Sequence, residues 1–427
     1  MKNNNKLSRR EFFSSSAKLA TAPLLLSSLF SSSNAANKKA LDVPLWSRSL
    51  GTPVNSNAYG LPSLFESAVQ KHILMPKAPK GHISTSIALT SAVSPLSQIR
   101  GAITPNGLFF ERHHSGVPQI DPKEHKLLIH GLVGEALVIN MEQIKSYPST
   151  EKTYFIECSG NTGISKSYTK EQKLDDRFGL MSCATWVGVK LSTLLEEAGI
   201  DKAKAKYIIA EGADGATMAR SVPISRALED CLIVYAQNGE ALRPEQGYPL
   251  RLIVPGCEGN INVKWLRRLQ VTDTPLFARD EMSKYTDLLA NGKARQATLV
   301  MDVKSVITYP STGDKLTRKG FYELRGLAWS GKGKIKHVDI SLDGGRNWKR
   351  AKLSSLAQER AFVAFTYEWD FQGKELILLS RAMDEQGEVQ PYFKQITDVR
   401  GFHSESHNNS IQAWSVNSNG EVHNDRV

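Results

Sequence analysis

Cysteine is scarce in this chain, with four residues in 427: Cys158, Cys183, Cys231 and Cys257. None forms a Cys-x-x-Cys pair, which argues against a zinc ribbon or a thioredoxin-type site. No Cys-x-x-Cys-His occurs either, so the chain carries no c-type haem attachment of its own. So few cysteines also argue against a disulfide scaffold, even in an oxidising compartment. A long apolar run is missing as well. The mildly apolar stretch from Ala17 to Phe30 is short and broken by serines, whereas a helix needs about 20 apolar residues to cross a bilayer. There is no internal repeat. The 54 Lys and Arg against 43 Asp and Glu leave a formal net charge of +11, which favours anionic partners or substrates. The basic residues are scattered and accompany no nucleic-acid motif, so nucleic acid is the weaker reading of that charge.

What is present begins at the N-terminus. Ser8-Arg9-Arg10-Glu11-Phe12-Phe13 is a twin-arginine pattern, and Ser33-Asn34-Ala35 offers the small residues a signal peptidase accepts. Residues 1–35 therefore read as a removable signal for export to the periplasm, with no membrane span. The twin-arginine route carries folded proteins, which fits a cofactor inserted before export. About 390 residues follow, too many for one core, so two domains are expected. Residues 36–104, rich in Ser, Pro, Asn and Ala, read as a segment wrapping over the surface. Residues 105–290 read as an α+β domain. Lys126–Val133, Lys152–Cys158 and Tyr248–Val254 have strand character, and Leu191–Ala198 has helical apolar spacing ending at Gly199. Over 295–402 the texture changes to short strands, Val300–Ile307, Gly320–Trp329, Ile335–Leu342 and Ala361–Trp369, with a hairpin over Ser341–Trp348. That pattern predicts a β-sandwich. Residues 403–427 read as a polar tail that frays, anchored late by Trp414.

Four clusters carry candidate chemistry. Phe109-Phe110-Glu111-Arg112-His113-His114 places cationic and imidazole donors after an aromatic pair; a surface loop with capping histidines explains it equally well. Glu157-Cys158-Ser159-Gly160-Asn161 puts a cysteine where an apolar strand enters a tight turn, a place where scaffolds present reactive groups. Taken alone, such a cysteine is more often an inert buried hydrophobe, and a cysteine nucleophile with a histidine base is also conceivable. Between Arg243 and Arg268, Arg251 in a strand, turn asparagines and Lys264 would suit a phosphate or pyrophosphate. Glu211-Gly212-Ala213-Asp214-Gly215 is an acidic turn that could accept hydrogen bonds from a heterocycle, or simply a turn.

Taken together and in order, these motifs resemble the sulfite-oxidase family of molybdopterin enzymes over nearly the whole chain after the signal. Gly247–Leu266 is the most specific block, and Ser341-Leu342-Asp343-Gly344-Gly345 matches the family's C-terminal sandwich. Within the family the likeness is to the molybdenum subunits of sulfane dehydrogenases. It is carried by Arg112–Gly116, Arg243–Pro249 and Ser283–Asp287. The resemblance implies a sulfite-oxidase-type molybdopterin domain followed by an immunoglobulin-like dimerisation domain, with Mo-molybdopterin as cofactor. It implies Cys158 as the thiolate ligand to molybdenum, a soft donor suited to a metal also held by dithiolene sulfurs. By the same resemblance Phe110, Arg112, His114, Asp214, Gln246, Arg251, Asn262 and Lys264 hold the pterin and its phosphate. Arg112, Tyr285 and Arg400 then serve catalysis, the arginines as anion-binding groups. The remaining cysteines are assigned to packing.

Departures from the family pattern bear on substrate. Animal-type sulfite oxidases carry an arginine five residues after the metal cysteine, where this chain has Gly163. Their pocket tryptophan is replaced near Asp176 and Arg177, and two pterin-contacting histidines become Gln246 and Asn262. One cation fewer and an added acid predict weaker binding of free sulfite. A less cationic mouth suits sulfane sulfur on a carrier-protein cysteine, oxidised by oxygen-atom transfer, with electrons leaving to a separate cytochrome c subunit and a homodimer as core of the assembly. The alternatives are a dehydrogenase of free sulfite, a periplasmic reductase of methionine sulfoxide in proteins, and a non-catalytic scaffold.

Overall fold

The computed structural model describes residues 50, 59, 62–74, 90–163, 168–278, 281, 282, 285–289, 291–296, 298–354, 356–402, 404 and 406–427. The expected signal, residues 1–35, lies outside them. Leu64–Val427 form one compact unit.

The first half of that unit is built on two five-stranded sheets. In one, the strands Ser149–Glu157, Met181–Lys190 and Leu232–Gln237 run antiparallel in that spatial order, with Arg251–Ile253 pairing onto Leu232–Gln237. In the other, Lys126–Gly131 lies parallel to Leu266–Thr272, and Leu137–Asn140, Tyr207–Gly212 and Ala219–Pro223 complete an otherwise antiparallel order. The helix Leu191–Glu197 buries Leu191, Leu194 and Leu195, the i, i+3, i+4 face its sequence carries, and the chain turns out of it at Gly199 with φ +67°. Strand Met181–Lys190 is buried on both faces, so its sequence shows apolar character without alternation.

The second half is a two-sheet antiparallel sandwich. Lys304–Tyr309, Gly320–Trp329, Val363–Phe371 and Lys352–Leu353 form one sheet; Lys349–Arg350, Ile335–Ser341, Leu376–Asp384, Ala413–Val416 and Val422–Asp425 form the other. The expected hairpin is present: Ile335–Ser341 pairs with Lys349–Arg350, and Gly344 and Gly345 supply the positive φ of the turn. The observed architecture is thus α+β with a β-sandwich C-terminal domain.

The C-terminal stretch corrects the reading of residues 403–427 as a fraying tail. Two of its segments are sheet strands, Trp414 is fully buried, and its indole N–H donates to the Ile307 carbonyl at 3.1 Å. The polar run before them is buried too. Asn408 and Asn409 donate to the carbonyls of Thr162 and Val303, and the His407 N–H donates to the Ser159 carbonyl at 2.9 Å. Ser and Asn here satisfy backbone groups at a seam between the two halves, a role their composition does not reveal.

One apolar core crosses that seam. Phe155, Phe178, Met181 and Cys183 of the first half pack with Trp329, Phe362 and Phe365 of the sandwich, and the Phe155 and Phe362 rings stack at 5.8 Å. Inside this core lies an ion pair. Lys304 Nζ is 2.7 Å from Glu157 Oε1, with side-chain exposures of 2% and 0%. The other carboxylate oxygen accepts from the Trp329 indole N–H at 2.7 Å, Asn161 Nδ2 donates to Oε1 at 3.0 Å, and Lys304 also donates to Thr162 Oγ1 at 2.8 Å. Breaking a buried pair from one side strands a charge at a cost of about 3–5 kcal/mol. Lys304→Met should therefore lose about 3–5 kcal/mol in urea unfolding. Glu157→Gln combined with Lys304→Met should recover most of it. A single-variant loss of about 1 kcal/mol or less, as for an exposed pair, would contradict the assignment.

Candidate active site

Ten of the eleven site residues expected from the sequence line one cleft of about 740 Å³. They are Phe110, Arg112, His114, Cys158, Asp214, Gln246, Arg251, Asn262, Lys264 and Tyr285. The cleft lies where loops leave the sheets. Cys158 follows directly on the strand Ser149–Glu157; its N–H donates to the Leu180 carbonyl and its own carbonyl accepts from the Asn161 N–H, each at 2.9 Å. The turn then passes through Thr162 at φ +62°, a costly conformation for a β-branched residue. Three contacts hold it there, with Lys304 and with both the carbonyl and the side chain of Asn408. Gly259 packs against the same turn: a Cβ at that position would come within 3.1 Å of the Glu157 carbonyl oxygen.

Cys158 is half-buried, whereas Cys183, Cys231 and Cys257 are buried. Burial pushes the Cys183 thiol up to about 12 and the Cys257 thiol up to about 11, and raises that of Cys231. These three are packing residues. Among the described residues no three His, Cys, Asp or Glu side chains converge to hold a metal ion, and Cys158 is the one cysteine among the described residues that line the cleft.

The other polar groups of the cleft define what it can hold. Arg251 is buried, stacks over Trp186 at 5.5 Å, and donates from one terminal nitrogen to the Gln246 carbonyl and side-chain oxygens. Gln246 in turn donates to the Phe110 carbonyl at 3.0 Å. Burial lowers the Arg251 guanidinium to about 9. It also lowers the Lys264 ammonium well below its ordinary value, with the neighbouring charge of Arg251 adding to the effect. Two like charges on one wall call for an anion between them. Arg251 Nε and Asn260 Nδ2 are buried without an acceptor, and both are donors. A phosphate-bearing pterin supplies acceptors and negative charge, and its dithiolene-held metal supplies the partner for Cys158, so the residues present fit Mo-molybdopterin.

Tyr285 lies under Arg220, whose guanidinium sits 5.0 Å from its ring and donates from Nε to Asn260 Oδ1 at 2.8 Å. Burial, then the nearby charge of Cys158, pushes the Tyr285 phenol up to about 12, so it stays a proton donor at neutral pH. Arg220 was not legible beforehand; it sits in Ala219–Pro223, a buried strand with no motif around it.

Arg400 is the exception. It ends the helix Phe393–Arg400 and is buried, but away from the cleft. It donates to Asp302 at 3.1 Å and Thr298 at 3.3 Å, and lies 3.8 Å from Asp287. Two carboxylates neutralise it, so it is a structural tie rather than an anion-binding group at the cleft. Asp176 and Arg177 are a second correction. Asp176 is engaged by His72 Nδ1 at 2.6 Å, and Arg177 Nε donates to Gln412 at 3.0 Å. Neither lines the cleft, so the acid expected at its mouth is absent from it. Asn262 does line it, but its amide is spent on the loop, accepting from the Val254 N–H and donating to the Glu258 carbonyl.

Comparison with known proteins agrees with this geometry. Residues 114–279 match the family model described as an oxidoreductase molybdopterin binding domain, and residues 295–413 match the Mo-co oxidoreductase dimerisation domain. The chain is 32% identical to mitochondrial sulfite oxidase of Macaca fascicularis over 68% of its own length and 57% of that protein. It is 32% identical to sulfite oxidase of Gallus gallus over 68% of each. It thus spans under two thirds of the macaque protein. Among solved structures it is similar to the sulfane dehydrogenase SoxCD from Paracoccus pantotrophus, with 41% identity, a TM-score of 0.85, and coverage of 90% of this chain and 98% of that one.

Cys158→Ser should fold, keep its melting temperature within a few degrees, and lose molybdenum and activity together. The loss should exceed the roughly 10–100-fold that follows removal of an outer-shell partner of a metal site. Full molybdenum occupancy and activity would reject the ligand role.

Proposed function

The chain belongs to the sulfite-oxidase family of molybdopterin oxidoreductases, and on that premise we propose that it oxidises sulfane sulfur held on a carrier protein's cysteine. The observation that carries this reading is the 41% identity, over nearly the full length of both chains, to the solved sulfane dehydrogenase SoxCD. Gly163, in place of a family arginine, agrees with it. Each oxygen atom added to sulfur derives from one water and releases two electrons and two protons. The electrons go on to a cytochrome c subunit. The twin-arginine pattern at Ser8–Phe13 supports assembly in the cytoplasm and action in the periplasm. The match of residues 295–413 to a dimerisation domain supports a homodimeric core.

When bound, the molybdenum cofactor supplies two-electron redox chemistry; the protein contributes position and electrostatics. Cys158 would hold the metal, and Phe110, His114, Asp214, Gln246, Arg251, Asn262 and Lys264 would surround the pterin. Arg112 is oriented by donating to the His113 carbonyl at 2.7 Å and would steady negative charge on the substrate oxygens. Tyr285, held protonated, would donate a hydrogen bond beside Cys158, with Arg220 fixing its ring.

A second reading, oxidation of free sulfite, is favoured by the 32% identity to two animal sulfite oxidases. Turnover of the purified holoenzyme with sulfite and with a persulfidated carrier protein separates the two. The sulfane reading predicts rapid cytochrome c reduction with the carrier and at most slow reduction with sulfite. Fast turnover of free sulfite without a carrier would overturn it.

A further inference from the structure

Glu111 and His113 alternate with the expected cofactor residues Phe110, Arg112 and His114, and nothing above gives them a task. Both also border the cleft. His113 is buried, and its Nδ1 lies 2.8 Å from Lys264 Nζ. Lys264 also donates to the carbonyl oxygens of Arg112 at 3.2 Å and Glu245 at 3.1 Å. An ammonium has three N–H donors and no acceptor. With Lys264 charged, His113 Nδ1 carries no proton and accepts the third of these bonds, which leaves the imidazole proton on Nε2. That nitrogen lies 2.6 Å from Glu111 Oε2, which accepts it. The other oxygen of Glu111 is paired with Lys71, which directly precedes the strand His72–Leu74. Burial raises the Glu111 carboxyl, but hydrogen bonds from His113 and Lys71 outweigh it and hold the group at about 2.

We propose that Glu111 and His113 are positioning residues for Lys264. Glu111 fixes His113 as the Nε2–H tautomer, and that tautomer supplies the third acceptor keeping Lys264 a charged, oriented ammonium on the wall of the cofactor cleft. The alternation is Lys71 cation, Glu111 anion, His113 neutral, Lys264 cation. Without the His113 acceptor, a half-buried ammonium that already faces Arg251 loses one of its three hydrogen bonds. Its proton or its position then gives way, and the anionic part of the cofactor is held less firmly. The role belongs to the cofactor and is independent of the substrate, so bound pterin is the readout.

The test uses full-length holoenzyme as wild type, His113→Phe, Glu111→Leu and Glu111→Gln. Pterin per polypeptide is measured by fluorescence of the extracted, oxidised pterin, and its release is followed after dilution. Glutamine at 111 can still accept from His113 Nε2–H in the same tautomer; leucine cannot. Release should be about tenfold faster or more in His113→Phe and Glu111→Leu, and close to wild type in Glu111→Gln. Equal release from Glu111→Gln and Glu111→Leu would overturn the proposal, because charge rather than tautomer would then be what matters. Wild-type retention in His113→Phe would also overturn it. Should His113→Phe fail to fold, the two Glu111 variants decide the point between them.

Discussion

A carboxylate and an ammonium shut away from water hold the Cys158 turn in place. Glu157 precedes Cys158 in the chain, and Lys304 opens the first strand of the sandwich. Their contact therefore ties the cysteine to the other domain. Removing two charges from water costs several kcal/mol per ion, which only close geometry and further hydrogen bonds offset. Here Trp329, Asn161 and Thr162 provide them. An apolar pair of similar volume would be as stable or more so. What the ionic pair adds is direction: it accepts few geometries, and the strained Thr162 that follows Cys158 is held within the same network. The sandwich, the part of the chain that matches the dimerisation-domain model, thus also supports the Cys158 turn.

The cleft itself works against stability. Arg251 and Lys264 repel one another, and buried donors on Arg251 and Asn260 are left without acceptors. Each is a liability in the protein alone and a binding term once an acceptor-rich anion is present. The unfavourable terms point the same way, since the cleft has donors and positive charge in surplus. The same bias makes the chemistry of the bound group, rather than the apolar lining, the main determinant of what the cleft will take.

Much of the site was legible because its residues sit in contiguous runs. Phe110 to His114 and Gln246 to Lys264 each lie on a short strand edge or loop, where order along the chain matches order in space. The strand leading into Cys158 and the hairpin at Gly344 were legible for the same local reasons. What failed depends on distant partners. Arg400 reads as a free cation until Asp302 and Asp287 are placed beside it. Asp176 reads as a mouth residue until His72 reaches it. The Glu157–Lys304 pair joins positions 147 residues apart, and neither partner has a local pattern that marks it. The Ser- and Asn-rich stretch before Trp414 reads as tail because polar composition signals exposure. In the structure the same side chains satisfy backbone groups in the seam.

The central claim, that the buried pair positions the Cys158 turn, is tested most directly by native-state hydrogen exchange in wild type and Lys304→Met. Exchange of the Cys158, Asn161 and His407 amides, which bond from, within and onto that turn respectively, should accelerate selectively. Amides in the middle of Met181–Lys190 and Leu266–Thr272 should slow or quicken only with global stability. Unchanged protection of the turn, or a loss shared equally by those strands, would contradict the account.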